Sequence, residues 1–116
     1  MPRRKLDPLP STAFQILLAL AEGDLHGYAI MRQVEQLSGG RIRLGPGTLY
    51  GSIQTLLEEK LIEEVDFGDS GICGVERRRY YRLTAAGRKT ARTEAERIAD
   101  LVRVARARKI LGGDHV

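Results

Sequence analysis

Cysteine, histidine and tryptophan are scarce or absent in this chain. There is one cysteine, Cys73, so no disulfide can form within the chain, which fits a reducing compartment. A redox role for Cys73 would need activation of its thiol, and only the nearby basic run could supply that. The two histidines, His26 and His115, are far apart in sequence, and His115 is next to last. No Ser-His-Asp set, metal-ligand cluster or Walker-type loop is present, so no enzyme, metal or cofactor is expected. Tryptophan is absent and aromatics make up only 5% of the residues. The longest apolar run, 16–21, is far too short to span a bilayer. Met1-Pro2-Arg3-Arg4-Lys5 leads into prolines rather than an apolar segment, so no secretory leader is expected and the cytoplasm is the expected location.

Positive charge, by contrast, is present and clustered. Lys and Arg number 19 against 15 for Asp and Glu among 116 residues, a formal net charge of +4. Such an excess can serve solubility alone. Its distribution points further. Arg3-Arg4-Lys5, then Arg77-Arg78-Arg79 with Arg82, then Arg88, Lys89 and Arg92 form runs, while Glu58, Glu59, Glu63, Glu64 and Asp66 gather elsewhere. Clustered cations are the footprint of a polyanionic partner.

The most informative stretch is 45–62. Leu49, Ile53, Leu56 and Leu57 recur at i, i+4, i+7 and i+8, the spacing of a buried helical stripe. At 100° per residue, Gly47, Gly51, Gln54, Thr55 and Glu58 fall on the opposite side. Pro46 suits the first helical position, where its missing N–H is not needed. A helix with a firm core side and a small, polar N-terminal half can lie in a DNA major groove. Thr48, Ser52 and Thr55 offer short hydroxyls to bases, Gly51 lets the backbone approach, and Tyr50 offers a phenol to a phosphate.

Around this helix the chain reads as a basic arm over 1–10, a domain over 11–83 and a long C-terminal helix within 84–116. Ser11 is the expected cap of a first helix over 12–22, with Ala13, Ile16, Leu17 and Leu20 as its core face and Gly23 as its stop. Asp24 to Tyr28 form a tight connection, in which His26 has a local capping or packing role. A second helix runs to about residue 38 with Ile30, Val34 and Leu37 as its stripe, and Gly39-Gly40 ends it. The alternation of Arg41-Ile42-Arg43-Leu44 reads as a small strand. After the focal helix come a strand over 61–67, a glycine-rich turn over 68–74 and a returning strand over 75–83. Thr84 then caps a helix from 85 to about 111. The order predicts a mainly α fold with a small β-hairpin: a winged helix-turn-helix plus a long C-terminal dimerisation helix.

Alternation on the returning strand places Arg77, Arg79, Tyr81 and Leu83 on one side and Glu76, Arg78, Tyr80 and Arg82 on the other. The run can be an edge strand charged against sheet-to-sheet pairing, or a wing that holds phosphates or probes the minor groove. Beside the focal helix, the wing reading is preferred for Arg77, Arg78 and Arg79. On the last helix, Ala91, Ala95, Ile98, Val102 and Ala105, with Leu101 alongside, form a coiled-coil-like seam. A helix of about 25 residues, roughly 40 Å, exceeds what one small domain needs. Ile98, Leu101, Val102 and Ala105 are therefore assigned to a homodimer interface rather than to packing on their own domain.

Four blocks in the right order resemble the PadR family of bacterial transcriptional regulators: Leu25-His26-Gly27-Tyr28-Ala29-Ile30; Gly45-Pro46-Gly47-Thr48-Leu49-Tyr50; Leu56-Leu57-Glu58-Glu59-Lys60-Leu61-Ile62; and Arg78-Arg79-Tyr80-Tyr81-Arg82-Leu83-Thr84-Ala85-Ala86-Gly87-Arg88. The resemblance implies a homodimeric winged helix, usually a repressor, paired through its C-terminal helix, and it is to the short members of the family. Gly45 stands where the family often has serine, which leaves a weaker cap on the reading helix. The last helix has no aromatic residue of the kind that stacks flat effectors. The expected function is sequence-specific binding of double-stranded, palindromic operator DNA by a repressor that a signal releases, with any small-molecule effector unidentified and no membrane partner. The alternative is a winged-helix module for protein–protein assembly without a specific DNA target.

Overall fold

The structure is a computed structural model that describes residues 9–65 and 79–112. The elements follow the order α1 (Ser11–Leu20), β1 (Leu25–His26), α2 (Gly27–Leu37), α3 (Pro46–Glu58), β2 (Ile62–Val65), β3 (Tyr80–Leu83) and α4 (Ala85–Ala107). Among the described residues, no helix is long and apolar enough to cross a membrane.

The core is built where the apolar stripes of the first three helices converge. Ile16 and Leu17 from α1, Ile30 and Val34 from α2, Leu49, Ile53 and Leu56 from α3, and Ile62 from β2 are essentially inaccessible to water. Removing each such side chain from water is worth about 2 kcal/mol, so α3 is anchored by three residues on one side only. The sheet lies against these helices in the order β1-β3-β2, antiparallel throughout. Register pairs Leu25 with Tyr81 and His26 with Tyr80 on one side of β3, and Ile62 with Leu83 and Val65 with Tyr80 on the other. Tyr81 points into the core, as strand alternation requires, and the Arg82 side chain is exposed. This is the winged helix-turn-helix expected from the element order.

Several local expectations are corrected. Ser11 is not the cap of α1. Pro10, with ψ 150°, occupies that position, and its carbonyl accepts from the Phe14 N–H at 2.9 Å, so the helix starts one residue earlier. α1 also ends at Leu20, because the Ala21 N–H turns back to the Leu18 carbonyl and tightens the last turn. Leu37 is half exposed rather than part of the α2 stripe, since the chain turns away there through Gly39 and Gly40 at φ 67° and 83°. The stretch 41–44 is not a strand. The Ser38 hydroxyl accepts from the Ile42 N–H at 2.9 Å, and the Arg41 N–H bonds the Ser38 carbonyl. The alternation there records Ile42 and Leu44 packing on the core from a loop that has no partner strand. The third strand is instead β1, two residues long.

α4 is attached firmly at its start. The Thr84 Oγ1 caps it by accepting from the Gly87 N–H at 3.0 Å, and lies 2.8 Å and 2.9 Å from the Lys60 and Leu61 carbonyls, either of which can take its single proton. Gly87 sits so close beneath that a Cβ there would fall 2.0 Å from the Leu61 carbonyl oxygen. α4 ends at Ala107, short of the expected 111, because Lys109 adopts φ 64° and the Ile110 N–H closes back on the Ala105 carbonyl.

Candidate nucleic-acid interface

The helix α3 opens on Gly45, which has no side chain to cap it, and on Pro46 at the first turn. With Leu49, Ile53 and Leu56 buried, its far side is fixed by helical geometry. Gly47, Thr48, Gly51 and Gln54 are exposed there, and Ser52 and Thr55 are half-buried at the margin. Nothing lies within 4 Å of the position a Gly51 Cβ would take, so the backbone is open to a partner. The Thr55 hydroxyl donates to the Gly51 carbonyl at 3.1 Å, which leaves it free to act as an acceptor. Thr48, Gly51, Ser52 and Thr55 together form one bank of an open groove of about 430 Å³, and Pro10, Thr12 and Ala13 form the other. The first turn of α1 flanks α3, a neighbour that the sequence pattern does not announce. That contact depends on tertiary packing, which leaves no periodic signal.

Tyr50 departs from this group. It is half exposed but leans toward α2, where its phenol lies against Gly27. The start of α2 is capped by His26, whose Nδ1 accepts from the Ala29 N–H at 3.2 Å, the local role expected of that histidine. Tyr80 meets the His26 ring edge-on at 5.3 Å, and Tyr28 stacks on it at 6.5 Å. Tyr81 lies behind them in the core. Burial raises its phenol above the ordinary value of 10.0, and the negative forms of Glu64 and Tyr50 push the same way.

Both described arginines of the wing, Arg79 and Arg82, have carboxylate partners. Arg79 is highly exposed and pairs with Glu64 across the hairpin at 3.4 Å. Arg82 is held structurally. Its Nε and Nη2 reach the two carboxylate oxygens of Asp24 at 3.4 Å and 3.1 Å, and Nη1 is 4.0 Å from Glu63. Arg88 donates to the Ala21 carbonyl at 3.4 Å, joining α4 to the end of α1. Arg77, Arg78, the turn with Cys73, His115 and most of the basic arm lie outside the described residues.

On α4 the expected seam divides. Ala91 is buried in the chain's own core, and Glu94 is only 8% exposed, its carboxylate held by Arg97. Ala95, expected in the same seam, is exposed. Beyond Glu94 the helix emerges from its own domain. Ile98, Val102 and Ala105 are half-buried, while Leu101 is 55% and Val104 44% exposed. An apolar strip thus continues along the part of α4 that its own domain does not cover.

Residues 16–93 match the model of the transcriptional regulator PadR-like family. An uncharacterised 37.1 kDa protein of transposon TN4556 from Streptomyces fradiae is 43% identical over 86 residues, which are 74% of this chain but only 22% of that protein. The chain therefore spans about a fifth of that relative's length. A transcriptional regulator from Clostridium thermocellum is similar with a TM-score of 0.69 at 26% identity, covering 83% of this chain and 87% of the other. A PadR family transcription regulator from Clostridium difficile superposes with a TM-score of 0.74 at 24% identity, covering 89% of this chain and all of the other. Bacillus subtilis PadR in complex with operator DNA shares the fold at a TM-score of 0.62 and 20% identity, over 72% of this chain and 46% of that one. With the family's pattern matched from the middle of α1 into α4, this chain belongs to the PadR-like family of transcriptional regulators.

Proposed function

We propose that the chain acts as a homodimeric repressor that binds a palindromic operator through α3 and the wing and leaves it in response to a signal. The observation that carries this reading is the exposed arc of α3. Thr48 and Ser52 present hydroxyls, and Gly51 an open backbone, on a helix whose opposite side is locked into the core. Side chains of that size let a helix sink into the major groove, where hydroxyls meet base edges. Arg77, Arg78 and Arg79 would add phosphate contacts from the wing, which fix register without reading sequence. Ile98, Leu101, Val102 and Ala105 would pair with a second copy, and two-fold symmetry would place two reading helices on two half-sites. In this scheme the arm 1–10 is an appendage, 11–83 is the reading domain and 84–116 carries the dimer contact.

Gly51→Glu tests the reading. The position is open, so the fold tolerates the side chain, while a carboxylate in the groove would face DNA phosphates and acceptor-rich base edges. The variant should fold normally and lose binding to genomic fragments that the wild type selects. A folded Gly51→Glu protein that still retains those fragments with unchanged affinity removes α3 from the interface.

A further inference from the structure

We infer that Gly27 is a positioning residue for DNA contact: its missing side chain is the seat that holds the Tyr50 phenol at the edge of the reading surface. The inference rests on the proposed reading of α3 as the DNA-contacting helix and on the sequence expectation that Tyr50 offers its phenol to a phosphate. Gly27 is buried at the first turn of α2, where a turn of negative φ does not itself demand glycine. The reason for glycine is space. A Cβ at residue 27 would stand 2.3 Å from the Tyr50 Oη, 2.9 Å from Cζ and 3.2 Å from Cε1, and these are its three nearest atoms. All three belong to one side chain, the one whose hydroxyl would touch DNA.

Which atoms the Cβ meets decides what the glycine is for. At Gly87 the added carbon would strike the Leu61 backbone carbonyl, so there the fold itself must give way. At Gly27 the closest atoms it strikes are the outer end of a half-exposed ring, which can swing about χ1 and χ2 toward solvent. Alanine at 27 therefore leaves the backbone in place and moves the phenol. On this side the Tyr50 ring lies against Gly27, and it stands near enough to the sheet for its negative form to raise the Tyr81 phenol. Displaced from Gly27, the hydroxyl loses its fixed position, and a contact that depended on preorganisation weakens. This also joins two separate sequence blocks, His26-Gly27-Tyr28 and Thr48-Leu49-Tyr50, by one steric requirement.

The test is a double-mutant cycle on Gly27→Ala and Tyr50→Ala, with Tyr50→Phe as a third variant. Each protein is titrated against a short mixed-sequence DNA duplex at a fixed low salt concentration, and its thermal midpoint is measured alongside. Tyr50→Ala and Tyr50→Phe should each weaken binding by about tenfold or more, the loss of one charge-assisted hydrogen bond. Gly27→Ala should weaken binding by a similar factor, and should add nothing in the Tyr50→Ala background, because the seat is then empty. If Gly27→Ala alone fails to fold while the double variant folds, the steric link stands. If Gly27→Ala lowers affinity equally in both backgrounds, or the double variant also fails to fold, Gly27 does not act through Tyr50 and the inference is overturned. If instead Tyr50→Ala and Tyr50→Phe bind as the wild type does, the phosphate contact itself is wrong, whatever the thermal midpoints show.

Discussion

Thr84 helps to attach α4 to the winged helix, and its contribution can be worked out bond by bond. Its Oγ1 accepts from the Gly87 N–H at 3.0 Å, which satisfies one of the open donors of the first turn. Loss of such a cap costs about 1 kcal/mol. The same hydroxyl has a single proton, donated to the Lys60 or Leu61 carbonyl at 2.8 Å or 2.9 Å, worth about a further 1 kcal/mol. The Leu61 carbonyl keeps the Thr84 N–H at 3.1 Å in either case, so no large penalty for an unpaired acceptor arises there. Thr84→Val keeps the shape and removes both hydroxyl bonds, so it should destabilise by about 2 kcal/mol. For a domain of this size that corresponds to a midpoint lowered by roughly 8 °C. Thr84→Ser keeps both bonds and should remain within about 2 °C of the wild type. Thermal unfolding followed by far-ultraviolet circular dichroism, at one fixed protein concentration, measures both. A Thr84→Val protein that melts within about 1 °C of the wild type would show that the cap is redundant with the packing of Gly87 on Leu61, and the reasoning would fail.

Further outcomes follow from the same geometry. Val102→Glu should convert a dimer to a monomer in sedimentation velocity at micromolar concentration, because it places like charges in a desolvated seam; a variant that stays dimeric places the interface elsewhere. Arg79→Ala should lower the slope of log K against log salt for DNA by about one unit, whereas Glu64→Gln, which frees Arg79 from its ion pair and removes a charge that repels phosphate, should raise affinity at low salt. Glu94, held by Arg97, has its carboxyl lowered from the ordinary 4.5. Its folded value lies below its unfolded one, so its contribution is present above about pH 4.5 and is lost as pH falls through the folded value. Urea midpoints measured between about pH 6 and 3 should therefore fall less steeply for Glu94→Gln than for the wild type. Equal slopes would mean that the Arg97 bond does not stabilise the fold.

The parts of the fold that could be read in the sequence are those with a period or a cap. Leu49, Ile53 and Leu56 repeat often enough to fix which side of α3 is buried, and their burial follows. Thr84, three residues before Gly87 and ahead of a long helical pattern, marked the start of α4 as a capping residue does. The errors arose where a pattern is shorter than its period or where two causes leave the same trace. Leu25–His26 is a strand only because β3 lies beside it. Two residues cannot show alternation. Conversely, 41–44 alternates without being a strand, since Ile42 and Leu44 are drawn inward from a loop that Ser38 holds. Alternation reports which residues face the core, and a ladder also needs a partner.

At the site the same distinction applies to chemistry. Small residues on one side of α3 could be recognised because helical phase alone places them outside. The status of the arginines could not be, because a guanidinium's partner is set by tertiary neighbours. Arg82 sits in the same run as Arg79, yet it is clamped by Asp24 from the loop before β1, 58 residues earlier in the chain. Among the described arginines, then, membership of the charge run does not tell which cation is free, and a phosphate contact has to come from a side chain that can leave its carboxylate. Arg79 is better placed to do so. It pairs with an exposed Glu64 at 3.4 Å, and an exposed pair is worth under about 1 kcal/mol, less than a phosphate contact in a closed interface. Arg82 has a two-point bond to Asp24, whose side chain is largely sheltered, and would have to give up a better partner. The difference between the two arginines is one of competing acceptors, and it predicts that alanine at 79 registers in DNA binding whereas alanine at 82 registers first in the stability of the sheet.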